Sequence, residues 1–150
     1  MPASSWKVED LIPHRPPMVL IDDIESIDLE SSSLVASFTA KEQWRGNWFA
    51  LEYMAQTAAA LAGAFDKAAD DGGAAVRPGL LLGTRRLELG IAEVVPGVRY
   101  FVKAVREYAD GGFAAFACEI REAAKGSPSH GCTATLTACR PDRMKAMKAS

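Results

Sequence analysis

The sequence predicts an α+β fold in which one antiparallel sheet of short strands wraps around a single long, buried helix. Three observations carry this expectation. The stretch Trp48–Phe65, WFALEYMAQTAAALAGAF, is apolar on nearly every side and holds one charge, Glu52, as a helix at the centre of a fold does. Strand-like runs lie on both sides of it, two before and four after, at hairpin spacing. No second helix of that length is available, whereas a parallel sheet needs several crossover helices.

The elements follow in order. Met18–Ile27, MVLIDDIESI, mixes branched and acidic residues after Pro16-Pro17 and reads as extended. Ser31-Ser32-Ser33 marks a turn, and Leu34–Thr39, LVASFT, alternates as a second strand. Arg45-Gly46-Asn47 breaks that pattern, with Asn47 the expected N-cap of a helix from about Trp48 to about Ala69. Asp70-Asp71-Gly72-Gly73 stops the helix. Strands are expected at Leu80–Leu89, Val98–Tyr108, Phe113–Arg121 and His130–Cys139, with Asp110-Gly111-Gly112 a hairpin turn. Arg140–Ser150 is a basic tail expected to fray.

With 150 residues, 49% hydrophobic and 24% charged, the chain suits a single globular domain, residues 1–150, with a core that needs no metal or disulfide staple. A formal net charge of −2 gives no general basic excess for nucleic acid. Cys118, Cys132 and Cys139 form no C-x-x-C spacing, so they are expected as buried free thiols rather than a zinc site. Glu52, Gln56 and Thr57 interrupt the apolar helix, which favours the centre of a soluble fold over a membrane span. The first ten residues lack the apolar run of a signal peptide, so a cytoplasmic location is expected.

Three stretches carry a family resemblance: LIPHRPPMVLID at Leu11–Asp22, EYMAQ at Glu52–Gln56 followed by TAAALAG, and LLLGTRRLELGIAEVVPGVRY from Leu80. In this order and spacing the chain resembles the hotdog-fold 3-hydroxyacyl-acyl-carrier-protein dehydratases. It is most similar to the branch encoded with aryl-polyene or related polyketide-like pathways. The resemblance runs from about Leu11 to about Cys139. It implies a dimer of hotdog protomers, usually two copies of one chain, with a heterodimer as the alternative. It implies removal of water from a 3-hydroxyacyl thioester to give a trans-2-enoyl thioester. The acyl group would arrive on the phosphopantetheine arm of an acyl carrier protein, and no cofactor or metal would be needed. One departure is plain. The mainstream enzymes carry their histidine in a Gly-His-Phe-Pro segment before the central helix, and here that region, TAKEQWRGNWFA, has none.

Dehydration needs a base for the proton beside the carbonyl, an acid for the departing hydroxyl, and donors for the charge that grows on the thioester oxygen. Glu52 is the expected acid, since a carboxyl set in an apolar pocket can keep its proton. Structurally it could instead point to solvent and favour the helix dipole. Gln56, one turn on, would orient that carboxylate or serve as a core amide. His14, held in Pro13-His14-Arg15-Pro16-Pro17, is the expected base, since the usual histidine is missing and His130 reads as a strand-start residue. Gly46, Asn47 and Phe49 at the helix start would bind substrate through backbone N–H groups and close approach. Gly83 would do the same from its strand. Trp44, Trp48, Phe49, Leu80 and Leu82 would line an acyl tunnel or form plain core. Arg85, Arg86, Arg99 and Arg106 would meet an acidic carrier protein or simply form a solvated face. A thioesterase and a non-catalytic subunit of a dehydratase pair are the competing functions.

Overall fold

The computed structural model describes residues 6–44, 46, 49–69, 80–90, 94–123 and 132–139. Asn47, Trp48, the 70–79 loop, His130 and the 140–150 tail lie outside the described residues, as do the side chains of Leu80 and Leu82. A short helix α1 (Val8–Leu11) precedes β1 (Asp23–Asp28) and β2 (Ser33–Thr39). A 3-10 turn at Glu42–Trp44 leads to the central helix α2 (Phe49–Ala69). Strands β3 (Leu80–Leu89), β4 (Arg99–Asp110), β5 (Phe113–Glu122) and β6 (Cys132–Cys139) complete the chain. They form one six-stranded sheet in the order β1-β2-β4-β5-β6-β3, with every neighbouring pair antiparallel. This is the expected hotdog arrangement, one long helix against a wrapped sheet.

Alternation on the strands decides which side chains reach the helix. In β4, Tyr100, Val102 and Ala104 are buried and face α2; in β2, Leu34, Ala36 and Phe38 do so. The helix answers with Ala50, Tyr53, Met54, Thr57, Ala60, Leu61 and Ala64. The Phe38 and Tyr53 rings stack at 3.7 Å, and Tyr100 stacks on Phe38 at 5.3 Å. The Tyr53 hydroxyl donates to the Trp44 carbonyl at 3.1 Å, which ties the 3-10 turn to the helix start. Burial pushes the Tyr53 phenol above its ordinary range, so it stays a donor. On the other flank α1 lies so close that a Cβ on Gly63 would come 2.0 Å from the Leu11 carbonyl oxygen.

Two expectations change. The segment Met18–Asp22 is not part of a strand: Met18 closes a turn by donating its N–H to the Arg15 carbonyl at 2.9 Å, and β1 begins only at Asp23. The reason is that the backbone of Met18 and Leu20 bonds to the Gln56 side chain instead of to a strand. Strand β4 also runs on to Asp110, past a bulge between Arg106 and Tyr108, because the two-residue turn is tight. Asp110 faces Phe113 directly, and Gly111 and Gly112 both take positive φ, 59° and 89°, as a type I′ hairpin requires.

Candidate active site

The loop after α1 carries His14 to the N-terminal part of α2, where it meets Glu52. Arg15 holds that loop: its guanidinium donates to the Ile12 carbonyl at 2.9 Å and to the His14 carbonyl at 2.7 Å. The His14 Nε2 lies 3.8 Å from Glu52 Oε1, and the two side chains are 33% and 41% exposed. Nδ1 of the same ring is buried without a hydrogen-bond partner among the described residues. Glu52 is thus not sealed among apolar groups within one protomer, contrary to expectation. It is the first acidic residue of α2, and the face on which it stands is bordered by open space.

Gln56 is fully buried and completes the pair. Its Nε2 donates to Glu52 Oε1 at 3.0 Å and to the Met18 carbonyl at 2.8 Å. Its Oε1 accepts from the Leu20 N–H at 2.9 Å. Both structural readings of this residue therefore hold together: it is a core amide with backbone partners, and it also orients the carboxylate. A single side chain joins the helix that bears Glu52 to the segment that follows His14.

His14 and Glu52 open onto a cavity of about 520 Å³. One wall is the helix face Ala55, Ala58, Ala59 and Ala62; the other is the inner side of β5 and β6, including Phe116 and Leu136, with the β4–β5 turn beyond. Small side chains on the helix leave room between helix and sheet.

The other candidates lie elsewhere. Gly46 is buried at the helix entrance, where its carbonyl accepts from the Phe49 N–H at 3.0 Å. The Phe49 ring meets Trp44 edge to face at 5.1 Å. Neither residue borders the cavity. Gly83 is exposed on β3, with nothing within 4 Å of where a Cβ would stand, and is not at the cavity within this protomer. The four arginines do not share one patch. Arg85 and Arg86 are exposed on β3. Arg99 donates to Glu25 at 2.6 Å and to Ser37 at 3.2 Å. Arg106 turns inward, its guanidinium 3.6 Å from the centre of the Phe65 ring, at the far end of the cavity. Strand parity with Tyr100, Val102 and Ala104 was the signal that could have revealed this. Arg15 was likewise missed, and only the folded loop reveals its role.

Among the described residues no group of three or more His, Cys, Asp or Glu side chains could hold a metal ion. No described helix is long and apolar enough to cross a membrane.

No curated protein sequence matches the chain. Among solved structures it is similar to the dehydratase heterocomplex ApeI:P from Xenorhabdus doucetiae, with a TM-score of 0.79 and 20% identity over 96% of this chain and 97% of that one. It is also similar to a hypothetical thioesterase with coenzyme A from Streptococcus pneumoniae, with a TM-score of 0.59 and 10% identity over 79% and 84% of the two chains. A third, thioesterase superfamily member 2 from Mus musculus, gives a TM-score of 0.53 and 11% identity over 78% and 79%. At these identities the likenesses speak for the hotdog fold. The sequence itself matches the ApeP-like family, described as ApeP dehydratase, over residues 6–149. Since that match takes in nearly the whole chain, including both His14 and Glu52, the protein belongs to the ApeP-like dehydratase family.

Proposed function

We propose that this protein dehydrates a 3-hydroxyacyl thioester, carried on the phosphopantetheine arm of an acyl carrier protein, to the trans-2-enoyl thioester. The observation that carries the reading is the His14–Glu52 pair at 3.8 Å, set at the mouth of a largely apolar cavity. Substrate would enter with its α carbon toward His14 Nε2 and its β hydroxyl toward Glu52. The imidazole takes the α proton, and the C–H electron pair becomes the Cα–Cβ double bond. Glu52, in its protonated form, gives its proton to the hydroxyl, which leaves as water with the C–O electron pair. The proton gained by His14 then returns to Glu52 across the short gap between them. Gln56 keeps one carboxyl oxygen fixed through the cycle by its bond at 3.0 Å. The Phe49 N–H is already taken by the Gly46 carbonyl, so of the helix-start residues Gly46 and Asn47 remain proposed contacts for the thioester end, reached across the dimer, with Gly83 a point of close approach from a second protomer.

The proposal includes a dimer. Strand β3 is one of the two sheet edges, β1 being the other, and α2 packs chiefly on β2, β4, β5 and β6. It leaves Leu87 and Leu89 exposed at 43% and 39%. An unpaired apolar edge of this kind calls for a covering strand. Another copy, or a related hotdog chain, would supply it and enclose the half-exposed Glu52. The similarity to a dehydratase heterocomplex and the empty histidine loop favour one second reading, a subunit that supports an active partner. Incubating the purified chain with a 3-hydroxyacyl thioester on a carrier protein tests both. Enoyl product from the chain alone supports the proposal. No product alone but product with a partner subunit supports the second reading, and release of free thiol would mean a thioesterase.

A further inference from the structure

Prolines leave the loop between α1 and Met18 short of hydrogen-bond donors. Pro13, Pro16 and Pro17 have no N–H to give. The side chain of Arg15 supplies what is missing. Its Nη1 alone donates to two carbonyl oxygens, that of Ile12 at 2.9 Å and that of His14 at 2.7 Å. Ile12 is the C-cap of α1 and is fully buried, so the bridge fastens the His14 peptide to a fixed point of the core. Both bonds come from a charged donor, and such bonds are about twice as strong as neutral ones. The Arg15 carbonyl in turn accepts from the Met18 N–H at 2.9 Å, and the Met18 carbonyl accepts from Gln56. The loop is thereby held from both ends, at Ile12 and at Gln56.

The His14 ring has no such hold of its own. Its Nδ1 is buried with no partner among the described residues. Its Nε2 stands 3.8 Å from Glu52 Oε1, beyond hydrogen-bond length. With neither nitrogen bonded, the place of the ring beside Glu52 is set by the main chain that carries it, and Arg15 sets that main chain. Arg15 itself is exposed and does not border the cavity. An exposed arginine that folds back onto its own loop gives up side-chain freedom, which its two charge-assisted bonds offset.

Resting on the dehydratase reading above, we infer that Arg15 is a positioning residue: one nitrogen, bridging the Ile12 and His14 carbonyls, keeps the imidazole at the distance from Glu52 that proton transfer needs. It acts through the backbone of His14 and touches neither substrate nor carrier. Misplacing such a group by about 1 Å costs about a hundredfold in rate.

The test compares Arg15→Met, which keeps the stem and removes the donors, with Arg15→Lys, whose ammonium is also a single charged nitrogen able to bridge two carbonyls. Dehydration of a 3-hydroxyacyl thioester on a carrier protein is followed for both, for His14→Ala, and for the Arg15→Met, His14→Ala double variant. Arg15→Met should lower kcat roughly tenfold to a hundredfold and leave KM unchanged, since the groove is untouched. Arg15→Lys should recover most of the lost rate. In the His14→Ala background Arg15→Met should do nothing further, because a residue that acts only through another has no effect once that other is gone. Independently of turnover, a nuclear Overhauser contact between the His14 ring and the Glu52 side chain should appear in the wild type and Arg15→Lys and vanish in Arg15→Met. The chain has 2 histidines, so the ring signals are readily assigned. A rise in KM at unchanged kcat overturns the inference, since it would give the guanidinium to the substrate or its carrier. An equal loss of rate in both backgrounds also overturns it, as a role in general stability would produce. So does a His14–Glu52 contact that is absent from the wild type or survives in Arg15→Met. Loss of that contact in Arg15→Met, in a chain that dehydrates nothing, would uphold the positioning and refute the proposed reaction instead.

Discussion

Gln56 stands one helical turn beyond Glu52 and bonds its carboxylate at 3.0 Å while gripping Met18 and Leu20 with the rest of its amide. The Glu52 carboxylate and the chain that follows His14 therefore depend on one buried side chain. Replacing Gln56 with Leu keeps the volume but strands the Leu20 N–H and the Met18 carbonyl. We expect a loss of about 2–4 kcal/mol in unfolding free energy, since each orphaned buried group costs about 1–3 kcal/mol. Urea denaturation measures it, and unchanged stability would mean that water or a rearranged loop meets those groups.

Glu52→Gln should leave the fold intact, because the amide is nearly isosteric and the half-exposed position does not demand a charge. Turnover should fall by roughly a hundredfold or more, the scale for loss of a general acid. Enoyl formation at the wild-type rate would remove Glu52 from the mechanism.

His14→Ala separates the active from the supporting reading. The expected drop in kcat is again roughly a hundredfold or more. Thermal stability should change little, since Nδ1 is buried without a partner among the described residues and Arg15 bonds only the backbone of the loop. Full dehydratase activity in this variant would assign the base elsewhere.

Gly63→Ala tests the packing of α1. The added methyl would meet the Leu11 carbonyl oxygen at 2.0 Å, and backbone must move to admit it. Overpacking of this kind costs about 1–3 kcal/mol. Leu11 lies just before the loop of His14, so activity should drop together with the melting temperature. An alanine variant with wild-type melting and kinetics would mean that α1 sits differently in solution.

Cys118 gives a chemical check on the core. Burial, with a further push from the charge of Glu107, raises its thiol from 9.0 to about 12. At pH 8 the folded protein should therefore keep Cys118 unmodified by iodoacetamide, and denaturant should open it to alkylation, as peptide mass mapping would record. The native thiol keeps its proton where the unfolded one loses it, so the native state binds more protons above pH 9. Its contribution to stability falls as pH rises from there toward 12. Rapid native labelling at pH 8 would contradict the buried position.

The helix and the β4–β5 hairpin were legible in the residues alone. The apolar stretch is helical over Phe49–Ala69, as its composition predicts, and Asp110-Gly111-Gly112 specifies a type I′ turn through backbone freedom that belongs to those residues. Family resemblance in LIPHRPPM and EYMAQ singled out His14, Glu52 and Gln56. What the sequence could not decide was how these segments meet. Met18–Leu20 has the branched residues of a strand, yet its backbone pairs with a side-chain amide from a distant helix. Arg106 looks like a surface charge until β4 is set beneath α2, and Gly63 looks like a helix defect until α1 lies on it. Periodicity and turn chemistry act over a few residues and can be read along the chain. The His14–Glu52 gap, the Gln56 clamp and the Arg106–Phe65 stack join segments far apart in sequence, and only close packing of the sheet, the helix and the N-terminal loop brings them within reach.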